Sequence, residues 1–179
     1  MSKLDIVEYP DNRLRLCSQE IQVFDDQLQK LVNDLTDTLY ATTGIGLSAP
    51  QVGVNQRVLI MDLSESKTQC LAFVNPTITH KAGYAFVKES CLSLPGISAS
   101  VIRAAEVTVT ACNTEGEEIE HQLQGMAAIC LQHEIDHLDG ALFIDRISRL
   151  RTLGIRKKLK TLESAHDNLR ITASAYNQS

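Results

Sequence analysis

Gln132-His133-Glu134-Ile135-Asp136-His137 sets two imidazoles four residues apart with a carboxylate between them. On a helix, positions i and i+4 share a face about 6 Å apart. His133 and His137 can therefore bind one metal ion. Glu134 lies about 100° round the helix from His133, beside the metal rather than on it. There it can hold a metal-bound water and act as a general base. This chemistry is that of a metal-dependent hydrolase.

A catalytic site of this kind needs a third protein ligand and one open position. Three candidates arise, of which a third histidine is the weakest: none lies between Leu138 and Ala165, and His166 sits in a polar C-terminal stretch. Glu163 follows His137 by 26 positions, as a third carboxylate ligand does in many peptidases. Cys91 lies in Glu89-Ser-Cys-Leu-Ser-Leu-Pro-Gly96, a thiol between a strand and a turn. A thiolate with two imidazoles suits Fe(II), Zn, Co or Ni. Spacing does not decide between Cys91 and Glu163. Asp136 and Asp139 flank the histidines, and either can accept a ligand imidazole's second N–H.

The elements that must position these groups follow from periodicity. Leu28, Leu31, Val32, Leu35 and Leu39 predict an amphipathic helix over 25–42, capped by Asp25 or Asp26. Residues 57–62, 70–74, 84–88, 100–103 and 106–111 are β-rich, and Val107 and Val109 alternate with threonines. Residues 113–116 predict a turn, with a return strand over 117–123. Met126 to Leu138 predicts a helix apolar on two sides, and so buried, with Gly140 ending it. A last helix is expected from Ser148 to about Ala165. The expected class is α+β: a central buried helix carrying His133 and His137, packed on short, mostly antiparallel sheets between an N-terminal and a C-terminal helix. The expected organisation is one catalytic domain over 1–165 and a polar tail over 166–179, frayed from Thr172.

Composition narrows the class. The chain has 179 residues, 44% of them hydrophobic, and a formal net charge of -5. That suits one domain with a real core and argues against nucleic-acid binding by bulk charge. Acidic residues interrupt the N-terminus where a signal peptide needs an apolar run. No stretch reaches membrane-span length. The five cysteines are widely spaced without C-x-x-C, which argues against a disulfide framework. A cytoplasmic protein without membrane contact is expected, and a monomer.

Gly44-Ile-Gly-Leu-Ser-Ala-Pro-Gln-Val-Gly53, Glu89-Ser-Cys-Leu-Ser93 and Gln132-His-Glu-Ile-Asp-His137 occur in that order. Together they resemble the three motifs of peptide deformylase, and the likeness runs from about residue 4 to 165. The resemblance implies that Cys91, His133 and His137 bind one divalent metal, natively Fe(II), with Zn, Ni or Co possible in preparations. It implies Glu134 as general acid/base, and Gln51 with the Leu92 N–H facing the formyl oxygen. The implied reaction releases formate from the formyl-methionine that begins new polypeptides. Gly46 would let a peptide backbone approach closely. Ile45, Leu92, Ile129 and Cys130 would line an apolar pocket for the methionine side chain, although core packing accounts for Ile129 and Cys130 equally well.

Two residues depart from the family pattern. Ser90 stands where glycine is usual, and Ser48 where alanine is common. Ser90 raises the question of a positive φ beside Cys91. Glu89 and Arg103 are expected either to pair and support the Cys91 loop or to be solvated. Arg149, Arg151, Arg156, Lys157, Lys158 and Lys160 make the last helix basic. The family likeness makes ribosome contact a reading of that helix, beside a plain solvated face. The competing functions are a zinc metallopeptidase using Glu163 as third ligand and a catalytically impaired, ribosome-associated relative.

Overall fold

The computed structural model describes residues 3–176, with side chains described over 3–148 and 152–167. Helix α1 spans Asp26–Tyr40. Its start is set by Asp25, whose carboxylate accepts from the Gln27 and Leu28 N–H groups at 3.0 and 3.1 Å. Those are two of the donors a helix start leaves unpaired.

Among the described residues seven strands follow: β1 (Gly46–Ser48), β2 (Val58–Met61), β3 (Leu71–Ala82), β4 (Ala85–Ser90), β5 (Ser98–Arg103), β6 (Glu106–Cys112) and β7 (Glu118–Gln124). Five form an antiparallel sheet in the order β1-β2-β3-β6-β7, while β4 and β5 pair as a separate hairpin. Helix α2 spans Met126–Leu138 and α3 spans Arg149–Tyr176. The architecture is α+β, as the sequence predicts.

The period-2 rule explains the layering. On β2, Val58 and Ile60 join Leu28, Val32, Leu35 and Leu39 of α1 in one core. Leu59 and Met61 point the other way and join Ala128, Leu131, Ile135 and Leu138 of α2 in a second. A strand buried on both faces between two helices has no polar side, and β2 reads Val-Leu-Ile-Met accordingly. A third core, with Leu94, Ile97, Val101, Phe143 and Leu159, fastens β5 and α3 beneath the loop that carries Cys91.

Three boundaries differ from the sequence reading. The glycine-rich segment at 44–53 contains a buried strand, β1, before its 3-10 turn at Ala49–Val52. Strand β3 continues past Val74 to Ala82, because Asn75 and Pro76 occupy a break in register rather than an end. Asn75 adopts φ 51°, and its carboxamide bonds both backbone groups of Ile21. Helix α3 runs past Ala165 to Tyr176, so 166–176 is helical rather than a tail. No glycine or proline follows Gly154 to stop it. Residues 177–179 of the expected tail, and the side chains of Arg149 and Arg151, lie outside the described residues.

Candidate metal centre and active-site cleft

Helix α2 is buried from Ala128 to Leu138. Its end is sharp because Gly140 turns the chain at φ 70°, where a Cβ would lie 2.6 Å from the Arg15 carbonyl oxygen. One face packs on the sheet. The other presents His133 and His137 towards Cys91, which follows β4. The three ligand atoms all lie within 4.8 Å of one another. Cys91 Sγ is 3.1 Å from His137 Nε2, and the two imidazole centroids are 5.1 Å apart.

Each ring is set by its surroundings. His133 Nδ1 is 2.9 Å from Glu89 Oε2, so it gives its proton to that carboxylate and turns Nε2 to the cluster. Burial and the neighbouring His133 hold His137 well below the usual imidazole range, in the neutral form a metal needs. A thiol and two imidazoles converging in one buried place are a donor set for a divalent transition ion. The residues fit such a group.

Glu89 is held in turn. Arg103 forks onto it through Nε at 2.7 Å and Nη2 at 2.9 Å, and reaches Asp136 through Nη1 at 2.6 Å. Glu89 and Arg103 are thus paired and buried rather than solvated. Burial alone would raise the Glu89 pKa, but its bonds with Arg103 and His133 win and hold it at about 2. Asp136 and Asp139 do not meet the imidazoles. Asp136 turns to Arg103 and Arg146, and Asp139 pairs with Arg57 at 2.7 Å. The acceptor comes instead from β4, a partnership that no local spacing reveals.

Glu134 faces a cleft of about 600 Å3. Among the described residues its Oε2 is buried without a hydrogen-bond partner, and burial lifts its pKa from 4.5 to about 7. Gln51, Cys91 and His133 line the same cleft, as do Ile45, Gly46, Leu92, Ile129 and Cys130. Gly46 is required by space: a Cβ there would lie 2.7 Å from both Cys130 Sγ and Glu134 Oε1. Gln51 Nε2 is 3.5 Å from Cys91 Sγ and 3.4 Å from Ser93 Oγ. Glu163 is elsewhere. It accepts a 2.6 Å hydrogen bond from the Tyr9 hydroxyl, and among the described residues the donor cluster holds Cys91 in its place. The metallopeptidase reading with Glu163 as ligand is therefore corrected.

The family model for polypeptide deformylase matches residues 3–152. The peptide deformylase of Neisseria gonorrhoeae is 44% identical over 160 residues, covering 89% of this chain and 96% of that one. That of Alkalilimnicola ehrlichii is 46% identical over 163 residues, covering 90% and 92%. A crystal structure of a peptide deformylase from Legionella pneumophila superposes with a TM-score of 0.85 at 40% identity, covering 93% and 98%. Arabidopsis thaliana peptide deformylase 1B, solved with an inhibitor, gives 0.89 at 38% identity, covering 92% and 93%.

The chain belongs to the peptide deformylase family. It is a hydrolase of linear amides that removes the formyl group from the N-terminal formyl-methionine of newly made polypeptides, and the family is metal-dependent. No described helix is long and apolar enough to cross a membrane.

Against the deformylase pattern, both departures find a place. Ser90 ends β4 in register with Ser98, and the described non-glycine residues with positive φ are Lys67 and Asn75 alone. Its Cβ therefore imposes no backbone strain. Ser48 is fully buried and meets the Gln51 carboxamide. Ser48 has no role among the expected site residues, yet Ser48-Ala-Pro-Gln51 has the S-x-x-Q spacing that brings a cap residue and a glutamine side chain together. Leu94, Ile97 and Met126 also line the deformylase cleft and were not among the expected residues.

Proposed function

We propose that Cys91, His133 and His137 hold the metal, natively Fe(II), and that Zn, Ni or Co can replace it. A divalent ion held there supplies the Lewis acidity that activates water and polarises the formyl oxygen. Glu134 accepts the proton of the attacking water and returns it to the leaving amine. A pKa near 7 suits a group that must both take and give a proton near neutrality. Gln51 Nε2 and the Leu92 N–H donate to the oxyanion of the tetrahedral intermediate, and losing one such donor costs about 3–4 kcal/mol. Gly46 admits the peptide backbone, while Ile45, Ile129 and Cys130 seat the methionine side chain. Glu89 and Arg103 fix the His133 ring.

The observation that carries this reading is the orphaned, buried Glu134 oxygen beside three convergent ligand atoms. Residues 1–165 act as one catalytic domain, monomeric and cytoplasmic, on chains leaving the ribosome. The α3 cations support ribosome contact: Arg156, Lys157, Lys158 and Lys160 are all exposed.

Metal analysis tests the ligand set. Cys91→Ser is expected to lose bound metal and Glu163→Ala to keep one ion per chain. The opposite pattern would overturn the assignment.

A further inference from the structure

Ser48 closes β1 with no surface exposed. Its backbone N–H donates to Gln51 Oε1 at 2.9 Å, and its hydroxyl meets the same oxygen at 2.9 Å. A backbone N–H can only donate. The atom opposite it must therefore be the carbonyl end of the carboxamide, which leaves the NH2 end towards Cys91 and the cleft. The flipped amide would set NH2 against a buried N–H and offer a lone pair to an oxyanion.

We propose that the Ser48 hydroxyl is a positioning residue for deformylation: with its own backbone N–H it locks the Gln51 carboxamide so that Nε2 faces the formyl oxygen. The proposal rests on the reading of Gln51 as an oxyanion donor. Ser48 acts through Gln51 and does not touch the substrate. Its second role follows from polarisation. A hydrogen bond accepted at Oε1 makes the Nε2 hydrogens better donors.

The test measures formate release from a formyl-Met peptide by Ni(II)-loaded Ser48→Ala, Gln51→Ala and the double variant. Ser48→Ala is expected to lower kcat roughly fivefold, about 1 kcal/mol, with KM within twofold. The double variant is expected to be no slower than Gln51→Ala. In the zinc-loaded protein, Ser48→Ala should shift the Gln51 side-chain amide protons in the nitrogen-correlated NMR spectrum, a readout independent of turnover. If Gln51→Ala keeps full rate, the oxyanion reading itself fails. If Gln51→Ala is slow while Ser48→Ala keeps both rate and amide resonances, only the Ser48 proposal fails. An equal slowing by Ser48→Ala with and without Gln51 also overturns it, as does a change confined to KM.

Discussion

Replacing Arg103 by methionine should show how much of this enzyme rests on one buried cation. Arg103, Glu89 and Asp136 have side chains only 4%, 5% and 7% exposed. Methionine fills much of the volume but leaves two carboxylates without their shared partner. Breaking a buried pair from one side costs about 3–5 kcal/mol, because the remaining charge stays desolvated. Against a typical total of about 5–15 kcal/mol this is a large loss. At roughly 2–4 °C per kcal/mol for a chain of this size, Tm should fall by about 6–20 °C. Glu89 also orients His133, so metal affinity should drop roughly 10–100-fold.

The effect should depend on pH in a defined direction. Glu89 is depressed from 4.5 to about 2, so its contribution is complete above pH 4.5 and disappears as pH falls towards 2. That contribution is about 3 kcal/mol. The gap between parent and Arg103→Met should therefore be widest near neutrality and narrow below about pH 4.5. Arg103→Lys keeps the charge without the fork and should fall between them. Thermal melts of the zinc-loaded proteins across pH, with competitive metal titration, measure both effects. A variant melting within about 2 °C of the parent, with unchanged metal affinity, would mean that Arg103 does not hold Glu89 and His133 in place.

Gly46→Ala places a methyl 2.7 Å from Cys130 Sγ and Glu134 Oε1. Overpacking of that kind costs about 1–3 kcal/mol, and displacing the proposed base should lower kcat by roughly tenfold or more; a melt and a turnover assay check the two parts. Changing Arg156, Lys157 and Lys160 together to glutamine should leave short-peptide turnover within twofold. Lys158 is spared because it donates to the Gly96 carbonyl at 3.0 Å. If α3 contacts ribosomal RNA, the slope of log affinity against log salt should fall by roughly 2–3 in cosedimentation, and an unchanged slope would count against that contact.

Much of the positioning was legible in the sequence because it is local. The bounds of α2 follow from its two apolar faces and Gly140, and α1 from its leucine spacing and Asp25. Strand β6 follows from alternating valines. What was missed is long-range. Glu89 finds His133 44 residues away, and Arg103 finds Asp136 33 residues away, so Asp136 looked like a partner of the adjacent histidines when its partners were arginines. Strand β1 is three residues long with glycine at its start, too short for any period to register. Strand β3 was cut short because Asn75-Pro76 reads as a stop, whereas the Ile21 segment satisfies the break. The order of the three motifs supplied Cys91 over Glu163, and the fold shows why Glu163 was never free: Tyr9 holds it.

Glu134 is the group on which the chemical account turns. Glu134→Gln is nearly isosteric and leaves Cys91, His133 and His137 in place. The decisive measurement is formate release from a formyl-Met peptide by Ni(II)-loaded parent and Glu134→Gln, each with metal content determined on the same sample. One ion bound per chain is expected in both, with a rate lower by about 10²–10⁴-fold in the variant, the usual contribution of a general acid/base. A fully loaded Glu134→Gln working within tenfold of the parent would contradict that role.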